Sequence, residues 1–213
     1  MDTDARIEKA RILYERMAFE ADSGGLAIAE RELDGVEADL ALARGRVLHG
    51  RFLHEGREDS RELALFRHAA ALYRGLGDVR GEGESILWIG IFHQVVRQDD
   101  GAAVPMLERS RDLVMQVGDR HTLSYVLRHL GIAEHAVGRL EEARRFLEDS
   151  TRLRRDLGFR PGVAANLVGL SYIAAAQDRR EEAIAMLEEA ADIADSSGAY
   201  GIARQIDEAL AAV

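Results

Sequence analysis

Leu127-Arg128-His129-Leu130-Gly131, followed by Glu141-Glu142-Ala143, Leu147 and Ser150, returns forty residues later. The second copy reads Leu167-Val168-Gly169-Leu170-Ser171, then Glu181-Glu182-Ala183, Leu187 and Ala190, and Gly158 reappears as Gly198. Working toward the N-terminus, Leu107, Ser110, Leu113 and Gly118 stand forty residues before Leu147, Ser150, Leu153 and Gly158. A first unit joins at a shift of 81, where Gly50, His54, Phe66, Ala69, Leu72 and Gly77 meet Gly131, His135, Leu147, Ser150, Leu153 and Gly158. A ladder of large, small and glycine positions at one period marks a repeat architecture. Each unit is a supersecondary element that cannot bury its apolar face alone, so neighbours must stack.

Apolar residues at spacings of three and four predict two antiparallel helices per unit, each burying one stripe. Ala143 and Ala183 let the second helix approach closely. The glycines at 77, 118, 158 and 198 are expected to end the second helices in a left-handed conformation that satisfies the last carbonyls. Pro161 suits a first helical turn. The units run over about 36–78, 79–119, 120–159 and 160–198 of a single domain, 1–213. The second runs one residue longer between its helices, and the first has Arg46 and His49 where core leucines are expected. Residues 4–21 form an amphipathic helix that stops at Asp22-Ser23-Gly24-Gly25. Residues 26–55 are either one long helix or two broken at Asp34-Gly35, and 199–213 read as a cap helix.

Large residue, Leu-Gly, Ala, large residue and small residue, as in Leu127, Leu130-Gly131, Ala143, Leu147 and Ser150, resembles the tetratricopeptide repeat. The forty-residue period and the linkers at Gly77, Gly118 and Gly158 resemble the long variant found in sensor domains of bacterial transcription activators. The resemblance implies an all-α solenoid wound as a right-handed superhelix, with ligands along the concave face of the first helices. It covers roughly 36–198 and departs from the family where Ser171 replaces the glycine. The Lys/Asn clamp by which some members hold a C-terminal carboxylate is absent.

Composition sets outer bounds. With 47% apolar residues the chain fills a core, and a formal charge of −10 disfavours nucleic acid and anionic membranes as partners. The absence of cysteine excludes disulfides and thiolate chemistry. The N-terminus from Met1 lacks a basic and apolar leader, and no apolar window is long enough for a membrane span, so a cytoplasmic setting is expected. His49/His54 and His129/His135 lie five and six apart, the wrong spacing for two ligands on one helical face, so neither a metal nor a cofactor is expected. Gly75-x-Gly77-x-x-x-Gly81 is a linker, not a phosphate loop, because no strand precedes it.

By register, the groove would present Trp88 from the second unit and Tyr125, Arg128, His129 and His135 from the third. Tyr172 comes from the fourth, with Asn166 at the edge, and Arg51 and His54 from the first. Glu84, Leu87, Ile91, Gln94, Ile132, Val168 and Arg44 share those faces. Aromatic and arginine side chains are common anchors, although such rings also serve as inter-helix core. The leading expectation is a non-catalytic scaffold for a protein or peptide, of acidic–hydrophobic character, or for an anionic small molecule. Two alternatives stay open: a ligand-sensing regulatory module acting through a partner chain, and an enzyme using His54, Arg128 or His135. The lightly charged outer face of 199–213 leaves room for a homodimer through the terminal helices.

Overall fold

The computed structural model describes residues 4–212; Met1 to Thr3 and Val213, the ends of the expected domain, lie outside the described residues. Every element is helical: α1 Ala5–Glu20, α2 Leu26–Glu55, α3 Arg61–Leu76, α4 Val79–Ile91, α5 Asp100–Val117, α6 Arg120–Ala136, α7 Leu140–Asp156, α8 Arg160–Ala176, α9 Arg180–Ser197 and α10 Tyr200–Ala212. The described residues form an all-α array of helical repeats in which consecutive helices pack on one another, α1 to α4 in the first unit and α6 to α10 in the second. Two compact units are resolved, one ending at Arg109 and the other starting at Ser110, with the division inside α5.

In the first unit α1 lies along the N-terminal half of α2, tied by ion pairs from Lys9 to Glu32 and from Arg6 to Asp39. Residues 26–55 are one unbroken helix through Asp34-Gly35. The fold-back of α3 onto α2 differs from the expected register. Gly45, not Gly50, faces the second helix: a Cβ there would stand 2.4 Å from Phe66 Cε1, whereas one on Gly50 meets nothing within 4 Å. The five-residue offset is taken up mainly by α2 itself, which runs on to Glu55, ten residues past Gly45, where α6 ends at Ala136, five past Gly131. The position filled by Leu147 in the third pair is filled here by the wider Phe66 ring, and only a glycine opposite it leaves room.

The extra residue of the second pair is also not in the loop. Gly131 is 41 residues beyond Gly90, yet Gly138 is 40 beyond Gln98. The insertion therefore lies between Gly90 and Gln98, where α4 widens into a π turn over Phe92–Val96. One added residue inside a helix is what a π turn accommodates. Gly90 then meets Ala103 and Leu107 on α5 as Gly131 meets Ala143 and Leu147 on α7.

In the second unit one core runs through α7, α8, α9 and α10, including Ala143, Leu147, Leu167, Leu170, Leu187, Ala190 and Ile206. Ala143 and Ala183 are fully buried at their helix contacts. The expected stops hold: Gly77, Gly118, Gly158 and Gly198 all adopt positive φ.

Candidate functional site

The residues that form the second unit's cleft are set by helical spacing. Arg128, Ile132 and His135 are i, i+4 and i+7 on α6, and Val168 and Tyr172 are i and i+4 on α8, so each helix offers one stripe. With Leu147 and Gln205 these side chains line a cleft of about 240 Å³. Arg128, His135 and Tyr172, three of the residues the sequence singled out, thus share one wall system.

Arg128 does not hang free in this cleft. Its Nη1 donates to the carbonyl of Ala165 at 2.8 Å and to Asn166 Oδ1 at 3.1 Å. The same Oδ1 accepts from Arg154 Nη1 at 2.9 Å, and Arg154 also donates to the carbonyl of Gly162 at 2.7 Å. The amide of Asn166 donates in turn to Ser150 Oγ at 2.8 Å, which donates to the carbonyl of Ser124 at 2.6 Å. Arg154 is only 1% exposed, and its Nε is buried without a hydrogen-bond partner. Its guanidinium lies over the rings of Tyr125 and Phe159, at 4.8 and 5.4 Å from their centres, so cation–π attraction offsets part of its desolvation.

Two guanidiniums therefore share one amide oxygen, and among the described residues no carboxylate pairs with either. Burial pushes both down: Arg128 to about 10, and Arg154, with Arg128 also beside it, to about 9. Both remain cationic at neutral pH. A buried charge without a counter-ion is costly, and an anion reaching Arg128 from the cleft would offset that cost with a charge-assisted hydrogen bond.

The other expected site residues fall elsewhere. Trp88, in the first unit, is half-buried: it stacks on Phe66 with centroids 5.6 Å apart, meets His49 edge-on and lies under Arg46. Tyr125 stacks on Phe159 rather than facing the cleft, and His129 is buried. Leu87 and Ile91, expected on the groove face, are core residues because α4 is apolar on nearly every side. Asn166, placed at the edge from sequence, is fully buried at the centre of the polar network. His54 is exposed near the end of α2. Arg51 lines a separate cleft of about 610 Å³ between α2 and α3, whose floor is Val47, Leu48, Ala64 and Leu65. The first unit also buries an ionisable pair, His49 Nδ1 being 2.9 Å from Glu62 Oε1.

Arg154 was not expected at the site and Asn166 only at its edge, though the sequence carried a signal for both. At the forty-residue shift Arg154 takes the place of the buried Val114 and Ala194, and Asn166 that of the buried Val126. A charged or amide side chain in a core register is the anomaly to look for.

Among the described residues no helix is long and apolar enough to cross a membrane, and no group of three or more His, Asp or Glu side chains could hold a metal ion. No curated protein matches the chain. Residues 126–196 match the model of the tetratricopeptide repeat family. That stretch runs from within α6 into α9, the helices that build most of the Arg128 cleft, and in it the chain is similar to tetratricopeptide repeats.

Proposed function

We propose that the protein is a non-catalytic interaction scaffold that holds an acidic–hydrophobic peptide segment of a partner protein, with Arg128 receiving a carboxylate of that segment. The repeats at 36–78, 79–119, 120–159 and 160–198 are read as parts of this one scaffold, and tetratricopeptide repeats generally serve protein interaction. The observation that carries the proposal is the guanidinium pair Arg128–Arg154, charged and held by neutral acceptors only. Size separates the candidate ligands. A cleft of about 240 Å³ is below the roughly 300–1,000 Å³ of small-molecule pockets and fits one or two side chains. At the Arg128 cleft this favours a peptide anchor over a small ligand. Ile132, Leu147 and Val168 supply the apolar wall for a neighbouring side chain, and Tyr172 and His135 form the polar rim.

The test uses a panel of fluorescently labelled peptides that pair an acidic residue with an apolar neighbour, read by anisotropy. Binding peptides should lose affinity by at least about tenfold on Arg128→Ala, as expected when one member of a desolvated charge pair is removed. Peptides with the acid changed to its amide should lose a similar factor on the unaltered protein and little more on the variant. Equal affinity of both proteins for the same acidic peptide would remove Arg128 from the site.

A further inference from the structure

We infer that α2 is a homodimerisation helix, pairing antiparallel with α2 of a second copy about a two-fold axis beside Leu40. The inference concerns the first unit and is independent of the Arg128 cleft.

The first observation is a stripe that its own chain leaves uncovered. Leu26, Leu33, Leu40 and Val47 recur every seven residues along α2 and are 37%, 44%, 48% and 58% exposed. The other sides of the helix are occupied. Glu32 and Asp39 pair with α1, and Ala38, Leu42 and Gly45 are buried, Gly45 directly against Phe66 of α3. A strict seven-residue apolar period is the pattern of a helix facing another helix along its length, since 3.5 residues per turn keeps one seam toward the partner. From Leu26 to Arg51 the stripe covers about 38 Å of helix, long enough for such a seam.

The second observation selects the occupant. The exposed charges beside the stripe are Glu30 and Glu37 in its N-terminal half and Arg44 and Arg51 in its C-terminal half. This order is self-complementary in the antiparallel sense. With the axis beside Leu40, Leu33 of one copy lies opposite Val47 of the other, Glu37 opposite Arg44, and Glu30 opposite Arg51. A parallel pair would instead set like charges together. Isologous pairing of one patch with itself is how two-fold dimers form. Among the described residues Glu30, Arg44 and Arg51 make no ion pair within 4 Å in their own chain, Arg51 having Asp59 as a more distant opposite charge and Glu37 being held by His68, so a second copy can supply close partners. Ala43 and Gly50 are exposed beside the stripe, and a Cβ on Gly50 would meet nothing within 4 Å, which leaves space for a close helix approach. The 610 Å³ cleft continues the same face through Arg44, Val47 and Arg51, and would be covered by the N-terminal half of the partner helix.

The full chain should sediment as a dimer in equilibrium ultracentrifugation. Leu40→Glu places two carboxylates at the axis and should weaken dimerisation by at least about tenfold; because Leu40 is half exposed, the melting curve by circular dichroism should keep its helical signal. Arg51→Glu should weaken the dimer, and adding Glu30→Arg to it should restore it. A wild-type chain that stays monomeric at every attainable concentration overturns the proposal. So does a dimer indifferent to Leu40→Glu, which would place the interface on another face such as α10. Failure of the double exchange to restore the dimer overturns the antiparallel register.

Discussion

The α2/α3 pair of the first unit and the α6/α7–α8 region of the second face the same packing problem, and each solves it with one charged residue in a core position. Glu62 occupies the register in which the other pairs have Ala103, Ala143 and Ala183; Arg154 occupies that of Val114 and Ala194. The acid in the first unit meets a titratable partner, His49, and the pair is closed within the unit. The base in the second meets only neutral acceptors and another guanidinium. A buried carboxyl–imidazole pair can hold no net charge, whereas a pair of like charges leaves a field that an outside anion can answer. The comparison teaches that in repeats built to one template, the departures from the template carry the individual chemistry, and the sign left over points to the ligand.

The largest expected effect tests whether the two pairs are packed differently. Phe66 is fully buried against Gly45 and Trp88. Phe66→Ala should cost about 3–5 kcal/mol, as for other buried aromatic truncations. Gly45→Ala alone should destabilise by about 1–3 kcal/mol through overpacking, and by much less when Phe66 is already Leu. In the α6/α7 pair the corresponding cycle should show weaker coupling, because a Cβ on Gly131 meets the backbone oxygen of Ala143 at 3.2 Å as well as Leu147; trimming Leu147 cannot remove that contact. Urea unfolding followed by circular dichroism gives all four free energies for each cycle. Equal coupling in both pairs would erase the distinction.

The second effect is smaller and tests the acid. Burial raises the carboxyl of Glu62 above its usual 4.5, against the lowering influence of His49. The folded state then holds a proton that the unfolded state has released, so stability attributable to Glu62 falls as pH rises from about the usual value through the raised one. Glu62→Gln keeps an acceptor near His49 and removes the titration. The difference in unfolding free energy, wild type minus variant, should therefore decline as pH rises over that window and level off above it. A difference that rises with pH would mean that the ion pair with His49 outweighs desolvation.

Much of this was legible before any coordinates. The period, the antiparallel pairs, the glycine stops and the small residues Ala143 and Ala183 follow from the spacing of apolar residues, because helix packing repeats whatever is repeated in sequence. Three things were not. The offset of α2 depends on Phe66 needing more width than Leu147, a volume effect that an alignment of apolar positions cannot register. The π turn conceals its added residue inside a helix, where counting between glycines suggests a longer loop. The Arg154–Asn166 network joins a second helix to a first one, and the register of the first helices alone reveals only Asn166, at the edge of the groove. Arg128, His135 and Tyr172 were found together because three- and four-residue spacing on one helix fixes a face. Trp88 and Tyr125 stack on neighbouring rings because a stripe of aromatic residues does not distinguish a groove from a seam.

The smallest effect concerns the turn between the two helices of each unit, where the second, third and fourth pairs carry different residues at one left-handed position. The residue forty apart in these pairs is Gln98, Gly138 and Asp178, and all three adopt the left-handed conformation, with φ of 52°, 77° and 59°. Glycine takes that conformation without a Cβ clash, while other residues are disfavoured by roughly 1–2 kcal/mol, less for aspartate, whose short polar side chain tolerates it. Against this, glycine is more flexible in the unfolded chain, which returns part of the gain. Asp178 is exposed, and no hydrogen bond of its side chain would be lost. Asp178→Gly should therefore stabilise the fourth pair by about 0.5–1 kcal/mol, and Gln98→Gly the second by somewhat more, because glutamine lacks the tolerance of aspartate. Gly138→Ala should destabilise the third by a similar amount. Thermal melts of the three variants give the ordering. A gain at both positions and a loss at Gly138 would mark backbone strain as the cause, since nothing else changes in common. If Asp178→Gly instead lowers the melting temperature while Gln98→Gly raises it, the aspartate contributes through charge, next to Arg179 and Arg180 at the start of α9, rather than tolerating a conformation better suited to glycine.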